Sequence, residues 1–147
     1  SSVTGVQTCA LPIWPLINQA AVDKVEAHVA DAVGRGAKVL VGGEAHALGG
    51  HFYEPTILVD VDPASRLMSE ETFGPVAPLI RFTDEAEAIA RANDTESGLA
   101  AYIYTRDLAR SWRVSEALEF GIIGVNEGIV STAVAPFGGV NQSGVGR

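Results

Sequence analysis

Leu99-Ala100-Ala101-Tyr102-Ile103-Tyr104 and Ile122-Ile123-Gly124-Val125-Asn126 are two apolar runs of strand character, and the residues between them have helical spacing. Asp107 is placed to cap that helix, Leu108, Trp112, Val114, Ser115, Leu118 and Phe120 ride on it, and Gly121 ends it. Parallel neighbours need a crossover that returns the chain to the same end of the sheet, usually a helix. The alternation predicts an α/β fold, a parallel sheet with helices on both faces.

The same alternation extends toward the N-terminus. Thr83 precedes Asp84-Glu85-Ala86-Glu87, predicting a capped helix over 83–93 whose acidic first turn suits the helix dipole. Residues 76–82 are an apolar run, and residues 52–61 read as a strand in which Pro55, lacking an N–H, must take an edge or a bulge. Lys38-Val39-Leu40-Val41 predicts a short buried strand closed by Gly42-Gly43. Residues 15–35 predict an amphipathic helix with Leu16, Val22, Val25, Val29 and Val33 on its apolar face, ended by Gly34 and Gly36. Residues 44–50 have loop composition, and the tail over 135–147 is glycine-rich.

The 147 residues are 47% apolar, enough for one domain or part of one. A formal charge of −8 repels phosphate backbones and anionic lipid, so neither nucleic acid nor membrane is an expected partner. No apolar run approaches the roughly 20 residues of a membrane span. The opening residues lack the basic start and apolar centre of a secretory signal, and a cytoplasmic location is expected. The single cysteine, Cys9, excludes an internal disulfide and a multi-cysteine zinc site.

Residues 1–14 stand apart. Val3-Thr4-Gly5-Val6-Gln7-Thr8-Cys9-Ala10-Leu11-Pro12-Ile13 reads as the translation of a common sequencing-library adapter, with one further base left to open the Trp14 codon. Residues 1–14 are therefore expected to be an adapter-derived artefact, with native text from Pro15. Cys9 would then be foreign to the native chain, and its neighbours also supply no cation to lower a thiol pKa.

Several motifs resolve to structural readings. Gly139-Val140-Asn141-Gln142-Ser143-Gly144 has phosphate-loop spacing, but Val145 stands where a lysine must reach the phosphates. No Gly-x-Gly-x-x-Gly dinucleotide fingerprint occurs, and tight packing is the default reading of these glycines. His28, His46 and His51 lack the spaced acids or cysteines of a metal site and read as solvated side chains on a helix and in a loop. Ser131 and Ser143 lack a Gly-x-Ser-x-Gly setting. Ser69-Glu70-Glu71-Thr72-Phe73-Gly74-Pro75-Val76 differs, placing acids beside an aromatic in a loop before a strand. The competing reading is a solvated acidic turn with Phe73 as a core anchor.

Together with Ala135-Pro136-Phe137-Gly138-Gly139-Val140 and Ser143-Gly144-Val145-Gly146-Arg147, that segment closely resembles the aldehyde dehydrogenase superfamily. The resemblance covers nearly everything from Pro15 onward, including Phe52-Tyr53-Glu54-Pro55-Thr56. Asn126-Glu127-Gly128-Ile129-Val130-Ser131 is similar to the succinate-semialdehyde dehydrogenase branch. It implies that residues 15–147 are the C-terminal portion of a catalytic domain and that NAD or NADP is the cofactor of the full-length parent. In the family a cysteine thiolate attacks the aldehyde, hydride passes to the nicotinamide, and a glutamate-activated water releases the acid from the thioester. The resemblance places both that cysteine and that base upstream of Pro15, so no catalytic residue is assigned here. Gln7-Thr8-Cys9 mimics the nucleophile loop by accident on this reading.

By the motif match, Glu71 would accept hydrogen bonds from the nicotinamide-ribose hydroxyls, and Phe73 would pack beside the nicotinamide ring. Ser131 would bind the substrate's far carboxylate, a task the family shares with upstream arginines, and Phe137 would border the substrate channel. Asn141 stands where a lysine is common, which removes any contact that lysine makes. The implied partner is a small aldehyde, the parent is expected to be a homo-oligomer, and no metal is implied. The 147 residues alone are expected to be inactive and to self-associate through uncovered edges. Two other readings compete: a non-catalytic binding or interaction module that keeps the fold, and a related acyl-phosphate reductase. Sequence upstream of Pro15 discriminates the module, and the Glu-x-Phe-Gly-Pro-Val and Pro-Phe-Gly-Gly elements argue against the reductase.

Overall fold

Residues 15–131 and 135–144 are described in the computed structural model, and they fall into two units divided after Arg81. Residues 1–14, with the expected artefact and Cys9, lie outside the described residues.

In the first unit the opening helix, α1 (Gln19–Gly34), starts later than Pro15 because Asn18 caps it, accepting the Ala21 N–H at 3.0 Å. Leu16 precedes the helix, gives its N–H to the His51 carbonyl at 2.8 Å and still packs on the core. Val22, Val25, Val29 and Ala32 are buried on one face with Ala37, Tyr53, Leu58 and Val61 from the rest of the unit. Each fully buried valine or leucine contributes about 1.5–3 kcal/mol. Gly36, at φ +104°, supplies the left-handed turn that ends the helix.

Three strands follow, β1 (Lys38–Val41), β2 (Thr56–Val59) and β3 (Val76–Leu79), in the order β1-β2-β3. β2 and β3 are parallel, with Thr56 opposite Val76 and Val59 opposite Leu79, as the α/β reading requires. β1 instead runs antiparallel to β2, because residues 42–55 return the chain without a crossover helix. The expectation of a buried β1 is also corrected: all four residues are exposed on an edge strand whose register slips between Val39 and Val41. Pro55 falls just outside β2, and Pro78 lies in β3, an edge of this sheet where a missing N–H is tolerated.

The β2-to-β3 crossover contains a short helix, α2 (Arg66–Ser69), that the apolar periodicity does not announce. It is set by Asp31 of α1, whose Oδ2 accepts the Arg66 N–H at 2.9 Å and the Ser65 hydroxyl at 3.1 Å. Those bonds, the Arg66 backbone first and Arg35 next, hold the Asp31 carboxyl below its ordinary range.

The second unit holds α3 (Glu85–Asn93), β4 (Ala100–Ile103), α4 (Leu108–Ala117) and β5 (Ile122–Val125), then a 3-10 turn (Asn141–Ser143). β4 and β5 are parallel, Ala100 opposite Ile122 and Ile103 opposite Val125, with α4 as their crossover. Asp84 caps α3 by accepting the Glu87 N–H at 2.9 Å, while the Glu87 carboxylate reaches back to the Thr83 N–H and hydroxyl. Asp107 caps α4 through the Arg110 N–H at 3.0 Å. α4 stops at Ala117, before Gly121, because Asn93 donates to the Ala117 carbonyl at 2.8 Å and accepts the Glu119 N–H at 3.0 Å. That side chain satisfies a terminal carbonyl and draws the following residues out of the helix.

Candidate cofactor and substrate site

The candidate cofactor loop is the last part of the β2-to-β3 crossover, and it is laid along α1. Asp31 holds residues 65 and 66, His28 holds Glu70 and Thr72, and Val25 faces Gly74. Positions 31, 28 and 25 are three apart and share one helix face, so the crossover descends α1 turn by turn. His28 Nε2 meets Glu70 Oε2 at 3.0 Å, and His28 Nδ1 meets Thr72 Oγ1 at 2.7 Å. A Cβ on Gly74 would collide with the Val25 side chain, so glycine there permits the approach.

Contacts at 70, 72 and 74 direct alternate residues toward α1, and the intervening pair faces away. Glu71 is exposed, and Phe73 is 81% exposed. Phe73 is therefore not a core anchor. Among the described residues the Glu71 carboxylate accepts no hydrogen bond, which leaves its lone pairs open to a ligand. Side chains two apart on extended backbone stand roughly 6–7 Å apart on the same side. A two-hydroxyl sugar and its attached ring fit that spacing, one end polar and the other flat. The residues present thus suit a nicotinamide riboside.

The expectation of a solvated His28 is corrected: its exposure is 0%. A buried ring with both nitrogens hydrogen-bonded is satisfied within the fold. The Glu70 carboxyl is pulled down to about 2, first by the Arg66 guanidinium and then by His28, so it stays an anion and an acceptor. His28 Nε2 must then donate to it, and Nδ1 is hydrogen-bonded to the Thr72 hydroxyl. Periodicity carried the missed signal, because His28 lies three residues from Val25 and four from Ala32, on the buried stripe. His46, by contrast, stays in a loop and accepts the Leu48 N–H at 3.1 Å.

Ser131 and Phe137 belong to the second unit, on either side of residues 132–134, which lie outside the described residues. Ser131 is exposed at the end of a loop that β5 feeds. Asn126, in left-handed backbone at φ +54°, accepts the Thr105 N–H and donates to the Thr105 carbonyl, both at 2.9 Å. These bonds extend the β4–β5 ladder by one side-chain rung. The Tyr104 hydroxyl then donates to the Glu127 carbonyl at 3.0 Å. Phe137 is half exposed; of the glycines near it in the fold, a Cβ on Gly139 would strike Ser143 and one on Gly121 the backbone of Gly138 and Gly139, whereas Gly144, at φ +109°, has open space around it. Gly98 takes the Gly121 and Val140 N–H groups on its carbonyl and gives its own N–H to Ser143 Oγ. The packing reading holds for Gly139, while Gly144 serves a left-handed turn instead.

A cleft of about 550 Å³ between α3, β4 and α4 is lined by Ile89, Ile103, Val114 and Leu118 among others, and none of the expected site residues borders it. Among the described residues no cluster of His, Cys, Asp and Glu is arranged for a metal ion, and no helix is long and apolar enough to cross a membrane.

The chain is a member of the aldehyde dehydrogenase family, whose profile matches residues 7–147. It is 62% identical over 135 residues to the NADP(+) succinate-semialdehyde dehydrogenase GabD of Escherichia coli strain K12, covering 92% of this chain and 28% of that protein. It is likewise 62% identical over 133 residues to a glutarate-semialdehyde dehydrogenase of Pseudomonas aeruginosa, covering 90% and 28%. Among solved structures, succinate-semialdehyde dehydrogenase from Burkholderia pseudomallei superposes with a TM-score of 0.88 at 60% identity, covering 90% of this chain and 28% of that one. The chain thus spans about 28% of the length of these relatives. The family match opens at residue 7 and takes in Gln7-Thr8-Cys9.

Proposed function

We propose that residues 15–147 are the C-terminal portion of the catalytic domain of a cytoplasmic NAD- or NADP-dependent dehydrogenase that oxidises succinate semialdehyde to the acid. One observation carries the reading: the uncommitted, outward pair of Glu71 and Phe73 on a loop pinned from behind. Glu71 offers two carboxylate oxygens to two ribose hydroxyls, and charge-assisted bonds of that kind contribute about 1.5–3 kcal/mol each. Phe73 presents a flat face that restricts where the nicotinamide ring sits. The bound nicotinamide supplies the hydride acceptor. Ser131 presents a hydroxyl to the far carboxylate of the substrate, and Phe137 borders the aldehyde's path.

The cysteine that would form the thiohemiacetal and thioester, and the base that would activate water, are assigned to sequence outside residues 15–147. Residues 1–14 are held to be adapter-derived on the reading of their own sequence, and resequencing across the Trp14 codon tests this. The 147 residues alone are accordingly inactive, and Cys9-dependent reduction of either cofactor by the purified chain would refute that. The full enzyme is expected to be a homo-oligomer.

The function is tested in a full-length polypeptide that carries this chain. With succinate semialdehyde and NAD or NADP it is expected to generate reduced-nicotinamide absorbance, and Glu71→Gln is expected to weaken cofactor binding about tenfold. Failure to oxidise any small aldehyde with either cofactor would overturn the assignment.

A further inference from the structure

We infer that His28, a buried residue of α1 remote in sequence from the cofactor loop, is a positioning residue for Glu71. This rests on the reading of Glu71 as a nicotinamide-ribose ligand. His28 grips the residues on both sides of Glu71: Nε2 takes Glu70 at 3.0 Å and Nδ1 takes Thr72 at 2.7 Å. One rigid ring therefore fixes two alternate positions of the loop, and the residue between them has its direction set without using any atom of its own carboxylate. Glu71 pays nothing for its own placement and keeps every lone pair for a ligand.

The grip is itself held. His28 has 0% exposure among the buried residues of α1, so its ring is confined by the atoms packed around it. Arg66 binds the same Glu70 carboxylate through Nε at 2.7 Å and a second nitrogen at 3.1 Å, which fixes the far side of the carboxylate. Gly74, seated against Val25, fixes the next alternate position and thereby the side on which Phe73 emerges. A histidine serves here where a valine or lysine would not, because the imidazole meets a carboxylate at one edge and a hydroxyl at the other.

The test measures NADP and NAD dissociation constants and the KM for succinate semialdehyde in a full-length polypeptide carrying this chain. The variants are Thr72→Val, His28→Ala, Glu71→Gln and the two doubles that combine Glu71→Gln with each of the others. Thr72→Val deletes one hydroxyl and keeps the side-chain shape, so it reports even where His28→Ala fails to fold. Thr72→Val and His28→Ala are each expected to weaken the cofactor about three- to tenfold with the aldehyde KM unchanged. That weakening is expected to vanish in the Glu71→Gln background, since a residue acting through Glu71 has nothing left to position. Loss that is additive with Glu71→Gln, or that falls equally on the aldehyde KM, would mean a general structural role and would overturn the inference. Wild-type cofactor affinity in Thr72→Val beside a weakened Glu71→Gln would overturn the role of His28 while sparing the reading of Glu71. Wild-type affinity in Glu71→Gln itself would overturn both.

Discussion

The two loops that carry the proposed ligand groups are held by different groups. Residues 70–74 are fastened by side chains, with His28 and Val25 of α1 taking every second position and leaving Glu71 and Phe73 outward. Residues 126–131 and 138–143 are fastened at main-chain groups: the Asn126 side chain pairs with both backbone groups of Thr105, the Tyr104 hydroxyl donates to the Glu127 carbonyl, and glycines at 98, 121 and 139 close to contact distance. A loop pinned by remote side chains aims a carboxylate and depends on residues far away in sequence. A loop closed by glycine contacts fixes the chain's path and tolerates no added methyl.

The largest effect is expected where the backbone-closed region is forced open. A Cβ on Gly121 would meet the Gly138 carbonyl and, at 2.8 Å, the Gly139 Cα, so Gly121→Ala must displace main chain and is expected to destabilise by about 2–3 kcal/mol. Denaturant midpoints of wild type and variant measure this, and an unchanged midpoint would show that the closure is loose. A smaller loss is expected from Asn126→Ala, which removes the side-chain rung at a left-handed position. About 1–2 kcal/mol is the expected scale, by the same measurement.

Acid provides the smallest effect and touches both regions. Glu70 of the first unit, held by Arg66 and His28, and Glu85 of the second, held by Arg113 and then Arg110, both lie at about 2 in the folded chain against an ordinary 4.5. A carboxyl depressed by folding binds its proton more readily when unfolded. The stabilisation is therefore complete above about pH 4.5 and fades as pH falls toward 2. Both groups are open to solvent, so the slope is shallow. Arg66→Gln and Arg113→Gln are each expected to flatten the dependence of the urea midpoint on pH across that window, while a slope confined to higher pH would assign it to other groups.

Much of this was legible in the residues. The cap Asp107, the apolar stripe of α1 and the βαβ unit around α4 follow from local chemistry and spacing, and the structure adopts them, while the cap of α3 is Asp84 rather than the Thr83 before it. Glu71 and Phe73 were separable from the surrounding text because an acid and an aromatic adjoin a strand. The antiparallel turn of β1 was not anticipated, although residues 42–55 contain no helical pattern and so could not supply a crossover. Exposure of β1 was illegible in principle, since an apolar run of four residues says nothing about whether another layer covers it. His28 was readable from its place on the stripe, but its partners were not. Glu70 and Thr72 lie more than forty residues away, a pairing that only tertiary structure creates.

The central claim is that alternation along residues 70–74 turns Glu71 and Phe73 toward a nicotinamide nucleotide while α1 holds the residues between. A crystal structure of the full-length polypeptide with NAD or NADP bound tests it most directly. The expected result has the Glu71 carboxylate accepting the nicotinamide-ribose hydroxyls and Phe73 beside the ring, with Glu70 and Thr72 still on His28. A nicotinamide ribose bound away from Glu71, or Glu71 turned in toward α1 in place of its neighbours, would contradict the account.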